Sequence, residues 1–292
     1  MKNKFYTFKF LSLIISLIIS IFFLEVYVRA FVDNGLNLDL EMMKYAKNFK
    51  KISKNKNIGL EHRKNIQGKL MNVDIFLNSQ GFRNDKNIKL NKKKILLLGD
   101  SMTFGWGSQN TFSDVMEKKF NGEFQVLNAG IGNTNTYMQI SNYFNNFSKQ
   151  HYDIIILNFF INDFENVKIQ KLNFVQKNLY SYSYIKSLII NYLININVLE
   201  NWSDFYLNTF KNKNLIEKTF SKINELNNYC VENKILLIIN NIPELTNLKN
   251  YKFENQTKLI KDFSDKNNIF FLDSFVALKN YDSKSLWVTE KD

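Results

Sequence analysis

The hydrophobic and polar positions divide the chain into three regions of different character. Residues 10–28 form an almost unbroken apolar run, FLSLIISLIISIFFLEVYV, in which Glu25 is the only charged residue. A polar, lysine-rich stretch follows, and from there to the end short apolar runs alternate with segments of helical character. We therefore expect an N-terminal membrane anchor at 1–31, a linker with a small N-terminal segment at 32–90, and a main domain at 91–292.

The first apolar run predicts an N-terminal transmembrane helix. It is long enough to cross a hydrocarbon core of about 30 Å, and three lysines stand in the nine residues before it. Cations on that side favour a cytoplasmic N-terminus. This predicts a single-pass signal anchor in the inner (cytoplasmic) membrane, with the main domain in the periplasm. The alternative is a signal peptide cleaved at Val28-Arg29-Ala30, although the run exceeds the usual apolar length of such peptides.

The region at 32–90 carries two weaker patterns. Residues 33–60 predict a helix followed by a linker. Within residues 66–84 the apolar side chains Val73, Ile75 and Leu77 alternate with polar ones before a glycine turn. This alternation predicts a small β element that packs on the main domain.

The main domain predicts a parallel sheet. Five apolar runs bounded by turn residues are expected as strands, at residues 95–98, 124–127, 153–160, 235–239 and 269–272. The segments between them predict helices, at residues 111–120, 136–147, 180–233 (in two or three pieces) and 255–267. Near-continuous apolar strands are typical of a sheet covered on both faces. The expected fold class is therefore an α/β, three-layer α/β/α sandwich.

Composition and charge narrow the function classes. The formal net charge is +12, which can indicate nucleic acid or an anionic membrane. Nucleic-acid-binding proteins favour arginine for recognition, but only three of the 39 basic residues are arginines. The sequence also contains no nucleic-acid-binding motif. We therefore expect no nucleic-acid partner. A single cysteine, Cys230, excludes a disulfide scaffold, and two histidines argue against a Cys/His zinc site.

Polar groups follow three of the predicted strands. These are Gly99-Asp100-Ser101, the glycine-rich stretch from Asn128 to Asn133, and Asn162-Asp163. Because the carboxyl ends of parallel strands meet at one edge, the three loops are expected to converge. A serine, backbone N–H groups and an amide then suit acyl transfer with an oxyanion hole. Each feature alone is more often an ordinary cap or turn.

Three stretches of this chain resemble the conserved blocks of the SGNH/GDSL hydrolases. KILLLGDSMTFGWG is similar to the first block, VLNAGIGNTNT to the second and ILNFFINDF to the third. The resemblance runs from about residue 94 to 292. LNSQGFRND, upstream of these blocks, is similar to a segment of membrane-anchored members that add or remove O-acyl groups on envelope polysaccharides.

The resemblance implies a flavodoxin-like sandwich and a Ser-His-Asp triad that needs no cofactor or metal. It implies Ser101 as the nucleophile, and an oxyanion hole formed by Ser101, Gly130 and Asn162. The expected substrates are acyl esters of a polysaccharide, another carbohydrate or a lipid. The expected membrane contact is through residues 10–28.

The chain departs from the family pattern in two places. Phe160 replaces the glycine of the third block, which leaves the amide donor Asn162 in place. More importantly, no histidine follows His151. The final SLWVTEKD resembles the lead-in to the family's histidine block and implies Asp292 as the triad acid. We expect the sequence to be a fragment whose histidine lies just past Asp292; the alternative is a protein that has lost it.

Neither histidine of the chain suits the missing base. His151 is expected at the amino end of a strand, opposite the catalytic edge, and His62 in the N-terminal segment. Asp273 and Asp282 are alternative acids, although a strand-end cap and a loop residue are the simpler interpretations.

The leading hypothesis is an esterase of the SGNH/GDSL type. The first alternative is an O-acyltransferase of envelope polysaccharide, and the second is a carbohydrate-binding homologue without catalysis. A nucleotide-binding loop would need Gly-x-Gly-x-x-Gly or a Walker sequence. An α/β-hydrolase elbow would need glycine where Thr103 stands.

Overall fold

The computed structural model describes residues 2–85, 87–89 and 91–288. Its helices, in chain order, are α1 (Lys2–Tyr27), α2 (Leu38–Asn48), α3 (Ser101–Phe104), α4 (Phe112–Lys119), α5 (Thr136–Asn142), α6 (Phe174–Asn178), α7 (Tyr180–Asn195), α8 (Trp202–Thr209), α9 (Lys213–Glu232), α10 (Glu254–Lys266) and α11 (Phe275–Leu278). Two π-helical turns continue α1 and α5, at Val28–Val32 and Tyr143–Phe147, and a 3-10 turn lies at Ser283–Leu286. The strands are β1 (Lys50–Ile52), β2 (Leu60–His62), β3 (Ile66–Leu70), β4 (Val73–Leu77), β5 (Lys93–Leu98), β6 (Phe124–Asn128), β7 (Ile154–Phe159), β8 (Leu236–Asn241) and β9 (Phe270–Asp273).

The described chain forms two compact units. The first, here called the anchor unit, comprises residues up to 48 together with 171–200; the second, the sheet unit, comprises 49–170 and the residues from 201 onward. Residues 171–200 therefore pack with α1 and α2. The segment boundaries expected from the sequence, at 31 and 90, stay a prediction.

In the anchor unit, α1 confirms that the apolar N-terminal run is helical. The stretch Tyr6–Val32 is long and apolar enough to cross a membrane, and almost none of it is buried. A signal sequence near the N-terminus can meet the same criteria of length and apolar character. Insertion in a membrane is therefore argued below as a proposal.

The sheet unit contains the predicted parallel sheet. Its five strands lie in the order β6-β5-β7-β8-β9, and all neighbours are parallel. Numbered from the first strand of this sheet, the order is 2-1-3-4-5, which is that of flavodoxin-like sheets. The predicted fold class is confirmed.

Helices cover both faces of this sheet. On one face, leucine and isoleucine side chains of the strands pack with residues of α5, α9 and α10 in the largest core cluster. On the other, Ile95, Leu97, Val126 and Ile156 pack with Met116 of α4. Burial on both faces explains why the strands β5, β6 and β7 are apolar at most positions.

Two antiparallel hairpins precede the sheet. The β3–β4 hairpin confirms the predicted β element, and Val73, Ile75 and Leu77 are its buried positions. The expectation of a helix and linker at 33–60 is correct for α2 and wrong afterwards, because β1 pairs with β2. Three-residue strands are too short to give a period-two signal in the sequence.

Candidate active site

Ser101 occupies the first position of a short helix, α3, that follows strand β5. The Asp100 carboxylate caps this helix by accepting a 2.9 Å hydrogen bond from the Met102 N–H. Gly105, with φ 78°, ends it in the left-handed conformation. The chain thus turns sharply, and Ser101 lies half-buried at the carboxyl edge of the sheet.

The glycine-rich loop after β6 packs directly on this helix. The Ile131 N–H donates to the Gly99 carbonyl at 3.0 Å. A Cβ on Gly130 would lie 2.4 Å from the Phe104 backbone nitrogen, so only glycine allows this approach. The buried Asn128 side chain joins the two loops further, because its Nδ2 donates to the Thr103 carbonyl at 2.8 Å.

The loop after β7 reaches the same place. Asn162 Nδ2 donates to Asp100 Oδ2 at 2.9 Å. Asp163 holds the turn that presents Asn162: its carboxylate accepts from the Phe160 N–H at 2.7 Å and from Gln139 Nε2 at 3.0 Å. The structure therefore brings together the loops that carry Ser101, Gly130 and Asn162, as their strand-end positions predict.

Two carboxyl groups are fully buried beneath these loops. Burial raises the pKa of Asp100 above its ordinary value. Burial, reinforced by the nearby Asp100 charge, raises the pKa of Asp163 well above its ordinary value. Both carboxyl groups accept hydrogen bonds that hold the turns in place, and these contacts give them a structural role.

The donors proposed for an oxyanion are partly engaged in this conformation. The Gly130 N–H donates to Asn128 Oδ1 at 3.0 Å. It can serve an oxyanion only by sharing this hydrogen or by release from the Asn128 side chain. Asn162 gives one of its two amide hydrogens to Asp100, and the second remains for a substrate oxygen.

The two histidines lie in different parts of the sheet unit. His151 is exposed just before β7, at the amino end of the sheet, as expected. His62 is buried, and its Nδ1 lies 2.9 Å from the Gly81 carbonyl. Burial, together with the positive charges of Lys50 and Arg83, lowers the pKa of His62 to about 3, so the ring is neutral at physiological pH. Its surroundings make it a packing residue.

The described end of the chain approaches the loop after Ser101. A Cβ on Gly107 would lie 2.4 Å from a methyl group of Val288, so the two residues are in direct contact. Trp287 Nε1 donates to the Leu245 carbonyl at 3.0 Å. Asp292, the expected triad acid, lies outside the described residues, four positions beyond Val288.

The structure describes contacts of both alternative acids. Asp273 Oδ1 accepts from Asn241 Nδ2 at 3.0 Å and from the Phe275 N–H at 3.1 Å, which makes it a strand-end cap. Asp282 lies in the loop before the last 3-10 turn, where its carbonyl accepts from Ser285.

Arg83 contacts the loop that follows Ser101, and the sequence analysis assigned it no role. Its buried guanidinium donates to the carbonyls of Phe104 at 2.6 Å, of Ser108 at 2.7 Å and of Gly105. It also lies over the Phe104 ring, 4.7 Å from the centroid. Arg83 therefore holds the end of the Ser101 helix and the loop that follows it. The LNSQGFRND resemblance was the only sequence signal for it.

Glu165 and Tyr206 form a contact near the Asn162 turn that the sequence analysis also did not predict. The Tyr206 hydroxyl of α8 lies 3.4 Å from Glu165 Oε2, and the Glu165 N–H donates to the Asn162 carbonyl at 2.9 Å. Burial raises the pKa of both groups, and the charges of Glu165 and Asp100 raise that of Tyr206 further. Tyr206 therefore lies within electrostatic reach of Asp100.

Within the described ranges, no three His, Cys, Asp or Glu side chains come together to form a metal-binding group. The expectation that the protein needs no cofactor stays a prediction.

Comparisons with known proteins identify similar solved structures but no sequence relatives. No protein-family model matches the chain, and no curated protein does. AlinE4, an SGNH-hydrolase family esterase, is 12% identical, with 70% of this chain and 86% of that one covered and a TM-score of 0.42.

Two further structures are acetylxylan esterases. AlAXEase is 15% identical over 66% of this chain and 82% of its own, with a TM-score of 0.41. A catalytic mutant of an acetylxylan esterase from Geobacillus stearothermophilus is 15% identical over 68% of this chain and 84% of its own, with a TM-score of 0.39. At these identities and TM-scores the likeness carries no conclusion, and the case for a function depends on the site.

Proposed function

We propose that this protein is a serine esterase of the SGNH/GDSL type that acts on acyl esters of a carbohydrate or a lipid. The observation that carries the proposal is the convergence of three loops at one sheet edge. They present a half-buried serine at a helix start, a glycine that touches that helix, and an asparagine amide. These are the nucleophile and the oxyanion donors that acyl transfer requires, and a general base must complete them.

In the proposed reaction, Ser101 Oγ attacks the acyl carbon while its proton passes to a base. The carbonyl oxygen becomes an oxyanion that accepts from the Ser101 and Gly130 N–H groups and from Asn162 Nδ2. The ester C–O bond then breaks, and the leaving alcohol takes the proton from the base. Water then attacks the acyl-enzyme and gives a proton to the base; the bond between the acyl carbon and Ser101 Oγ breaks, Ser101 Oγ takes that proton, and the carboxylic acid leaves.

The base in this proposal is a histidine oriented by Asp292. The contact between Val288 and Gly107 supports it, because it carries the chain towards the loop after Ser101. Sequencing the coding DNA past the Asp292 codon tests it. A histidine codon within the next few positions supports the triad, whereas an immediate stop codon contradicts it and favours the carbohydrate-binding alternative.

The proposed steps apply equally to transfer to a sugar hydroxyl in place of water. An O-acyltransferase of envelope polysaccharide is therefore the second candidate, and the LNSQGFRND segment supports it through its resemblance to anchored members. The two activities separate in one assay, in which an added acceptor sugar diverts the acyl group from water.

The proposal includes insertion of α1 in the inner membrane, with the sheet unit on the periplasmic side. The exposed, apolar surface of Tyr6–Val32 supports insertion, and the lysines before it support this orientation. An alkaline phosphatase fusion after residue 60 is expected to be active; an inactive fusion would contradict the orientation.

Replacement of the nucleophile tests the esterase activity itself. With the protein as encoded, Ser101→Ala is expected to abolish hydrolysis of p-nitrophenyl acetate without lowering the melting temperature. Ser108→Ala, in the following loop, is the matched control and should retain activity. Equal turnover by Ser101→Ala and the wild type would refute the role of Ser101.

Loss of one oxyanion donor gives an independent measurement. Asn162→Ala is expected to lower kcat by about 10²–10³-fold, the usual cost of a missing donor. An unchanged kcat would remove Asn162 from the proposed oxyanion hole.

A further inference from the structure

In the helix α7, of the anchor unit, the fully buried side chains are small and polar and most of the apolar ones are exposed, the opposite of a helix in water. Its buried positions are Ser181 and Ser187. On its exposed side Tyr182, Ile185, Ile189 and Tyr192 recur at three- and four-residue spacing, and Leu188, Ile190 and Ile196 are exposed beside them. An amphipathic helix of a soluble protein places its apolar side chains towards the core. Small or polar residues inside and apolar residues outside are typical of helices in lipid.

α7 is attached to the apolar helix α1 through Glu25. Leu179, which precedes α7, offers no side-chain cap. Instead the Glu25 carboxylate accepts from the N–H groups of Tyr180 at 3.1 Å and Ser181 at 2.9 Å, and from Ser181 Oγ at 2.7 Å. The only acid in the apolar run thus caps a helix more than 150 positions later in the chain.

Arg29 reinforces the same junction. It pairs with Glu25 at 2.7 Å, donates to the Asn178 carbonyl at 2.8 Å, and lies over the Tyr180 ring, 4.0 Å from the centroid. The exposed apolar surface of α1 therefore continues onto α7 across a fixed contact. A bilayer that surrounds α1 also reaches the start of α7.

The charge around α7 complements an anionic lipid surface. Residues 171–200 contain three lysines and one acidic residue. Lys186 is exposed on α7, and Lys47 of α2 is exposed while it donates to Asn178 at 2.9 Å. Lysine side chains of this kind extend from an apolar helix to phosphate headgroups.

We propose that α7 is a second membrane-contacting helix, which lies in the interface of the bilayer that holds α1 and buries the side of Ile185, Ile189 and Tyr192 among anionic phospholipids. Its 16 residues are too few to span a hydrocarbon core of about 30 Å, so it is an interfacial helix and not a second crossing. This inference depends on the proposed insertion of α1 and is independent of the esterase activity.

Lipid contact can be measured on the full chain in phosphatidylcholine–phosphatidylglycerol vesicles. Ile189→Cys on α7, Leu17→Cys on α1 and Val231→Cys on α9 are each labelled with the fluorophore NBD; native Cys230 is buried and does not compete. All three positions are exposed apolar residues. Lipids with a doxyl quencher on the acyl chain are expected to quench the labels at 17 and 189, and to leave the label at 231 emitting as in water.

The outcomes distinguish the proposals. Quenching at 17 with no quenching at 189 would overturn the interfacial role of α7 and leave the anchor intact. An NBD label at 189 that is shifted to the blue but not quenched would also overturn it, because another protein or a second copy would then cover the helix. No quenching at 17 would refute membrane insertion itself, and the inference about α7 with it.

The Glu25 contact provides a second variant. Glu25→Gln retains the length of the side chain but loses the charge that caps α7. We expect weaker quenching at Ile189→Cys in this background and unchanged quenching at Leu17→Cys. Unchanged quenching at both positions would show that Glu25 does not hold α7 at the membrane.

Discussion

Arg83 offers the most direct test of how the candidate site is held in place. Its guanidinium donates to the carbonyls of Phe104, Gly105 and Ser108, all of which follow Ser101 within seven residues. Arg83→Met retains most of the buried stem and removes every donor. The carbonyl groups at the end of the Ser101 helix then lose their charged partner.

The loss of stability expected for Arg83→Met follows from these contacts. A hydrogen bond to a charged group contributes about 1.5–3 kcal/mol, and water can replace part of what is lost at the more accessible carbonyls. Counting two of the three bonds, we expect the free energy of unfolding to fall by about 3 kcal/mol, which corresponds to a decrease of about 6–12 °C in melting temperature. The cation–π contact with Phe104 adds about 0.5–1 kcal/mol.

Two readouts test this reasoning together. Thermal unfolding of the full chain in detergent gives the stability, with Arg63→Met at an exposed position as the matched control. In the active protein, kcat for p-nitrophenyl acetate is expected to fall more than KM rises, because the helix that positions Ser101 loosens. Arg83→Lys retains the charge without the fork of donors, so its melting temperature and kcat should lie between those of the wild type and of Arg83→Met.

The reasoning would be refuted by a melting temperature for Arg83→Met that matches Arg63→Met. It would also fail if Arg83→Lys lost as much as Arg83→Met, because the geometry of the guanidinium would then be irrelevant.

Three further predictions concern single buried positions. Gly130→Ala places a methyl group 2.4 Å from the Phe104 backbone nitrogen and is expected to cost about 1–3 kcal/mol, seen as a lower melting temperature; an unchanged one would contradict the close approach. Burial lowers the pKa of His62 to about 3, so between about pH 6.5 and pH 3 only the unfolded chain binds a proton there. The free energy of unfolding is therefore expected to decrease as the pH is lowered, by about 2 kcal/mol at pH 5. Urea unfolding at pH 7 and pH 5 should show this loss in the wild type relative to His62→Gln, and equal losses would refute it. Burial raises the pKa of the Cys230 thiol to about 12, so Ellman's reagent should label it only in the unfolded chain; labelling of the native protein would contradict its burial.

The sheet was predictable from the sequence because four of its five strands, β5 to β8, are buried at most positions. The runs at Ile95–Leu98 and Ile154–Phe159 are apolar at nearly every position and end in glycine or asparagine turns. Since parallel strands place such turns at one edge, the convergence of Ser101 and Asn162 followed from the pattern. The short hairpin β1–β2 had no comparable signal.

The supporting contacts of the site were not predictable in the same way. Arg83 reaches carbonyls more than 20 positions later, and Asn128 joins the Gly130 N–H to the Thr103 carbonyl. The periodicity of a segment reports which face of it is buried, but not which distant group satisfies a buried donor. His62 shows the same limit, because its low pKa arises from burial and two cations brought near by folding.

The sequence by itself determined the apolar N-terminal helix, the alternation of strands and helices, and the three polar strand ends. These follow from local periods of burial, which any segment carries in its own residues. Only the tertiary structure decided that Glu25 caps α7, and that residues 171–200 pack with α1 and α2. The physical reason is that such contacts join groups far apart in the chain, and their partners are selected by the packing of the whole unit.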